Sequence, residues 1–192
     1  MQWDEIQRLL LHARRANSIA RRYFVTNGFD GALTMLGLMV GFHTSAEVSL
    51  SVAIQACLGA AVALLMSGLS SAYLSESAER KRELHKLEQA LLSDLSESDY
   101  GKASRLVPVM VALVNGLSPL IVSLLIITPL WLVQKGVQLP LPPFLFAIAV
   151  ALCLIFLLGV LLGRLSREFW LWAGLRTLMV GGLTVVIIYS FS

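Results

Sequence analysis

Five apolar stretches dominate this chain, at roughly 23–43, 48–72, 106–134, 142–163 and 169–190, and each is long enough to cross a bilayer as a helix. Hydrocarbon offers no hydrogen bonds, so every backbone N–H and C=O in such a stretch has to be satisfied within the protein, which an α-helix does by itself. With 57% hydrophobic and only 14% charged residues, the chain has too little polar surface to cover a water-soluble globule. The expected fold class is therefore an all-α integral membrane protein with five transmembrane helices. The net charge of +3 does not argue for nucleic acid, because the basic residues fall where membrane spans need flanking.

That flanking charge is strongly partitioned. Arg8, Arg14, Arg15, Arg21 and Arg22 precede the first stretch, and Arg80, Lys81, Arg82, Lys86, Lys102 and Arg105 lie between the second and third. The connection at 43–47 has no Lys or Arg, the third-to-fourth connection offers only Lys135, and the fourth-to-fifth turn carries Arg164 and Arg167. The bias of Lys and Arg towards the cytoplasmic side predicts a cytoplasmic N-terminus and an external C-terminus. Residues 1–22 do not read as a secretory signal, because Asp4 and Glu5 sit where a basic region belongs. They predict an amphipathic interfacial helix, with Trp3, Ile6, Leu10, Ala13 and Ala20 towards the acyl boundary and the arginines towards headgroups; a lipid anchor and a partner-binding segment both fit. Residues 23–192 form the five-span domain, with 73–105 as a cytoplasmic helical segment between spans two and three. Cys57 and Cys153 both lie in apolar runs and read as small packing residues with free thiols.

One carboxylate interrupts the first apolar stretch. Asp30, at helix-centre depth, costs ~2.5–3.5 kcal/mol on insertion scales, so it is expected to face a partner, a cavity or a permeating ion. Thr26 or Asn27, Asp30, Thr34, Gly37 and Gly41 recur at three- and four-residue steps, which gathers polar atoms and small residues on one helix face. Gly59, Ala63, Ser67 and Ser71 form a second small-residue seam in the next stretch. No proline or glycine separates Tyr73 from Glu88, so that helix is expected to continue out of the membrane, carrying Glu76, Glu79 and Glu83 on one face with His85 and Glu88 beside them. Hard carboxylate oxygens with an imidazole suit a divalent cation, whereas Glu76 and Arg80 at i,i+4 suit an ordinary ion pair, and both readings stand. In the third stretch Pro119 closes Asn115-Gly116-Leu117-Ser118-Pro119, where it frees a backbone carbonyl and makes either a gate or a packing kink. Arg176, about two turns into the fifth stretch, reads equally as a snorkelling anchor or as a partner for an internal carboxylate.

Taken together these segments resemble the vacuolar iron transporter family. Asn27-Gly28-Phe29-Asp30-Gly31 through Gly41 resembles the family's first span, and Tyr73-Leu74-Ser75-Glu76-Ser77-Ala78-Glu79 its segment at the end of the second. Gly116-Leu117-Ser118-Pro119-Leu120 is similar to the third-span motif and Leu175-Arg176-Thr177-Leu178-Met179-Val180-Gly181 to the start of the fifth. The chain departs from the family at Ala72 (a glutamate there), at Gly68 (a methionine) and at Val122 (a second proline), and its cytoplasmic segment is short. The resemblance implies a homodimer whose first spans line a central path. It implies Asp30 as the intramembrane metal or proton site, Glu76, Glu79 and Glu83 as cytoplasmic metal ligands, and Asn27, Thr34, Met35, Met66 and Pro119 along the path.

The expected function is export of a divalent metal, ferrous iron or manganese, from the cytosol in exchange for protons. The chain is not expected to be an enzyme or to hold a resident cofactor, and it lacks a nucleotide-binding glycine loop, so the driving force would be an ion gradient. Its partners would be the metal, protons, membrane lipid and a second copy of itself. The protein would be multi-pass in the cell membrane of a prokaryote or an endomembrane of a eukaryote. The alternatives are a transport-inactive scaffold or assembly subunit of the same fold, and an exporter of small organic cations.

Overall fold

The computed structural model describes residues 2–45 and 48–191, with side chains described from Arg21 onward. Among these residues it contains five helices and no strand: α1 (Gln2–Thr44), α2 (Leu50–Leu91), α3 (Asp99–Gln134), α4 (Pro143–Ser166) and α5 (Trp170–Phe191). Helices α2 to α5 are each long and apolar enough to cross a membrane. The stretch of α1 from 23 to 43 is made less apolar by Thr26, Asn27, Asp30 and Thr34. No break separates residues 2–22 from it, so the N-terminal segment continues the first span as one helix. The orientation expected for Trp3, Ile6, Leu10, Ala13 and Ala20 lies outside the described residues.

Helix α1 is central. It packs on α3 and α4, touches α5, and meets α2 only slightly. Its inner face, Ala32, Met35, Leu36, Met39 and Val40, is sealed from solvent together with Ile126, Ile127 and Leu130 of α3 and Ala147, Ala151 and Ile155 of α4. Close approach of α1 to α3 depends on Gly31, where a Cβ would stand 2.7 Å from the Pro119 carbonyl oxygen and 2.8 Å from its Cα. Pro119 therefore acts in packing, as the surface that Gly31 meets.

Helices α2 and α3 form a long hairpin. At 1.5 Å per residue the 42 residues of α2 span about 63 Å, roughly twice a hydrocarbon core of ~30 Å, so its second half projects beyond the apolar layer as the uninterrupted sequence predicts. The hairpin's turn is built by polar capping. Leu92 adopts the left-handed conformation (φ 49°) and donates its N–H to the Glu88 carbonyl. The Glu88 carboxylate accepts the Leu95 N–H at 3.2 Å, and Ser98 caps α3 by accepting the Gly101 N–H at 3.1 Å. Hydrogen bonds from Ser96, chiefly its backbone N–H, hold the exposed Asp94 carboxyl below the ordinary carboxylate range. Glu88 is thus occupied as a helix-end clamp.

Helices α4 and α5 pair through small residues. A Cβ on Gly163 would stand 2.6 Å from that of Ala173, and one on Gly174 2.6 Å from the Phe156 ring. Thr177 fills the space beside Gly159 and donates to the carbonyls of Gly174 and Ile155 at 2.9 and 3.2 Å. Arg176 is exposed on α5 and makes no ion pair among the described residues. Cys57 is buried and Cys153 exposed, both as free thiols.

Candidate functional site

An amide cluster joins the first three helices where they converge. Asn27 Nδ2 donates to the Tyr23 carbonyl one turn back at 3.0 Å and to Asn115 Oδ1 on α3. Asn115 Nδ2 in turn donates to the Gly68 carbonyl of α2 at 2.9 Å. Gly68 and Gly116 make this contact possible. A Cβ on Gly68 would lie 3.0 Å from the Asn115 carbonyl oxygen, and one on Gly116 2.6 Å from Leu69 Cγ. The methionine expected at position 68 is therefore excluded by the closeness of α2 and α3. Ser118 ties α3 to α1 by donating to the Phe24 carbonyl.

Asp30 sits one helical turn beyond Asn27, on the outer side of α1. The structure exposes Asp30 and Thr26 on the surface of the protomer, with Thr34, Gly37 and Gly41 half-buried along the same face. A Cβ on Gly41 would meet nothing within 4 Å. On α2 the seam Gly59, Ala63, Ser67 and Ser71 is exposed throughout, and Met66 beside it is 58% exposed. The α2 seam thus points away from the protomer's own core, whereas the α1 face is exposed at Thr26 and Asp30 and turns towards Ile188 of α5 at Gly37. Met35 is fully buried in that core, off the Asp30 face.

Where α1, α2 and α3 converge lies a cleft of ≈ 490 Å³, whose polar lining comes from Arg22, Tyr23, Thr26, Asn27, Ser71, Ser75 and Asn115. Beyond its mouth the projecting part of α2 carries Glu76, Glu79 and Glu83. Arg80 takes up two of them, with Nε 3.7 Å from Glu76 Oε2 and Nη1 3.1 Å from Glu83 Oε2. Tyr23 of α1 donates its hydroxyl to Glu76 at 3.3 Å, and Tyr100 of α3 donates to Glu83 at 3.4 Å. Glu79 is exposed. Among the described residues no three His, Cys, Asp or Glu side chains converge on one point, so within one protomer Glu76 and Glu83 are partners of Arg80. The i,i+4 pair visible in the sequence is accordingly present, and Glu83 extends it by i,i+3.

Asn115, Tyr23 and Arg80 are the residues that sequence reasoning passed over as site components. Asn115 carried a usable signal, because a primary amide deep in an apolar span is costly unless both of its ends are hydrogen-bonded. Tyr23 and Tyr100 carried none, since their partners are 53 and 17 residues away in the chain.

Over 173 residues the chain is 31% identical to the uncharacterized protein MJ0645 of Methanocaldococcus jannaschii, a match that covers 88% of this chain and 86% of that one. No protein-family profile matches the chain, and no solved structure matches it.

Proposed function

The chain belongs to the family of this uncharacterized archaeal protein, and we propose from its own residues that it is a five-span homodimeric transporter exporting a divalent metal, ferrous iron or manganese, in exchange for protons. One observation supports the reading: Asp30, the carboxylate that interrupts the apolar stretch 23–43, is exposed on the surface of the protomer together with Thr26. Facing lipid, such a group costs ~2.5–3.5 kcal/mol, and a second copy packed on the α1 and α2 small-residue faces removes that cost by enclosing two Asp30 carboxylates in a shared polar path. Carboxylate, amide and hydroxyl oxygens are hard ligands, suited to a divalent cation rather than to a soft monovalent metal. In this arrangement the N-terminus and the α2–α3 hairpin are cytoplasmic. Asp30 binds metal when ionised and a proton when metal leaves, so the two cargoes exchange at one site.

Uptake of manganese into sealed vesicles, with and without a proton gradient, tests the proposal. Asp30→Asn should insert and dimerise normally yet lose proton-coupled flux, because an amide cannot alternate between a cation and a proton. Undiminished transport by a well-inserted Asp30→Asn protein eliminates the mechanism. A transport-inactive scaffold of the same fold is the second reading, favoured by the occupation of Glu76 and Glu83 by Arg80. It predicts no flux from the wild-type chain and, for Asp30→Asn, a loss of assembly instead.

A further inference from the structure

The cleft where α1, α2 and α3 converge holds an unbalanced positive charge. Arg22 is the only charged residue in its lining, no carboxylate lines it, and the guanidinium makes no ion pair among the described residues. Its carbon instead lies 5.8 Å from the centroid of the Tyr23 ring, a neutral support that steadies the group and leaves its charge uncompensated. Tyr23 is held in turn by its hydroxyl, which donates to Glu76 of α2 at 3.3 Å, and Glu76 is already the partner of Arg80. Donors accompany the charge. The Gly68 carbonyl can only accept, so the atom of Asn115 that meets it is an N–H, and the second hydrogen of that amide is uncommitted on a side chain 6% exposed. Ser71 keeps an uncommitted hydroxyl in the same lining. The rest of the lining accepts. Asn27 Nδ2 spends both hydrogens, on the Tyr23 carbonyl and on Asn115 Oδ1, which leaves its own Oδ1 open. Thr26 and Ser75 donate to the carbonyls of Arg22 and Ala72 at 3.0 and 3.3 Å and retain their lone pairs.

A guanidinium beside N–H and O–H donors is the chemistry that recognises phosphate oxygens, and neighbouring acceptors suit the hydroxyl or ammonium of an alcohol esterified to that phosphate. The place of the cleft along the chain says where such a group comes from. Arg22 and Tyr23 open the apolar stretch at 23–43, and Ser71 and Ala72 close the one at 48–72, so the cleft lies where both helices leave the apolar layer, at the depth of lipid headgroups. Charge selects the same source. A phosphodiester carries a single negative charge, which Arg22 matches, whereas a phosphate with a free end carries about −1.5 to −2 at neutral pH and would set the excess beside the Glu76 that Tyr23 contacts. The volume of ≈ 490 Å³ equals that of roughly 16 waters at about 30 Å³ each, which admits a phosphate together with its head alcohol. We infer that this cleft is a headgroup site for a membrane phospholipid, in which Arg22, Asn115 and Ser71 hold the phosphodiester while Asn27, Thr26 and Ser75 accept hydrogen bonds from the head alcohol. The inference goes beyond the transport reading and does not depend on it.

Dihexanoyl phosphatidylglycerol, a short-chain phosphodiester lipid used below its own micelle concentration, is the probe, and inorganic phosphate is the second arm. Calorimetric titration of the purified full-length chain in a neutral detergent should show saturable binding of the lipid and far weaker binding of inorganic phosphate. Arg22→Gln should weaken lipid binding by about ten-fold or more, the loss expected for a charge-assisted hydrogen bond, and Ser71→Ala should weaken it several-fold. Neither side chain ties two helices together among the described residues, so both variants should keep the wild-type unfolding midpoint in lipid-free detergent, which separates the site from a folding defect. Arg105→Gln is the charge-matched control, because Arg105 is exposed at the start of the third apolar stretch and does not line the cleft. It should bind the lipid as wild type does. Absence of saturable lipid binding, or equal losses from Arg22→Gln and Arg105→Gln, overturns the inference. Arg22-dependent binding of inorganic phosphate as tight as that of the lipid overturns it too, by making the ligand a free anion. Manganese flux in vesicles bears on the transport reading alone, and these titrations decide the cleft whatever that flux shows.

Discussion

Gly31→Ala should loosen the centre of the bundle, and its magnitude follows from the α1–α3 contact. The new Cβ would lie 2.7 Å from the Pro119 carbonyl oxygen, against 3.4 Å for ordinary contact, so the helices must separate locally by 3.4 − 2.7 = 0.7 Å. The obstruction is backbone, held on a proline ring, and no rotamer change relieves it. Overpacking of this kind costs about 2–3 kcal/mol, the upper part of the usual range, while alanine recovers up to ~1 kcal/mol of helix propensity over glycine. A net loss of about 1–2 kcal/mol remains, or roughly 2–8 °C in the unfolding midpoint for a chain of this size. Gly182→Ala is the control, because a Cβ there meets nothing within 4 Å and only the propensity gain applies. Thermal unfolding of both variants in the same detergent gives the comparison. Equal midpoints for Gly31→Ala and Gly182→Ala would refute the close α1–α3 crossing and, with it, the placement of Asp30 on the outer face.

Ser123→Ala should raise stability by about 1 kcal/mol, because Ser123 Oγ is buried without a hydrogen-bond partner; a lower midpoint would reveal a partner for that hydroxyl. Leu92→Gly should gain about 1 kcal/mol in the same assay, since Leu92 is 92% exposed and held at φ 49°, so that the change relieves backbone strain without losing packing. A Cβ at Gly41 meets nothing within 4 Å in the protomer, and Gly41→Leu should weaken self-association, read as the mass of the native complex in mild detergent; a wild-type chain that is monomeric in bilayers removes the two-fold path. Replacing Glu76, Glu79 and Glu83 together by glutamine should lower apparent manganese affinity if copies of these residues combine across a dimer, and superimposable anaerobic binding curves would leave Glu76 and Glu83 as ion-pair partners of Arg80 worth roughly 0.2–0.5 kcal/mol each.

What the sequence determined by itself is what depends on local rules. The positions of α2 to α5 and the unbroken run of α2 into a 42-residue helix follow from apolar length and from the absence of breakers. Helical spacing likewise put Asp30 with Thr34 and Gly41, and Gly59 with Ser71, on common faces. Spacing says which residues share a face but not what that face meets. Only the tertiary structure decided that Asp30 and the α2 seam are exposed while Met35 turns in, because that depends on which side of α1 the α3 and α4 helices occupy. The same limit applies to Gly68, which reads in one dimension as a missing methionine and in three as the residue that lets α3 close on α2. It applies again to Asn115, whose partners Asn27 and Gly68 are 88 and 47 residues away, so that the direction of its amide exists only once three helices have packed.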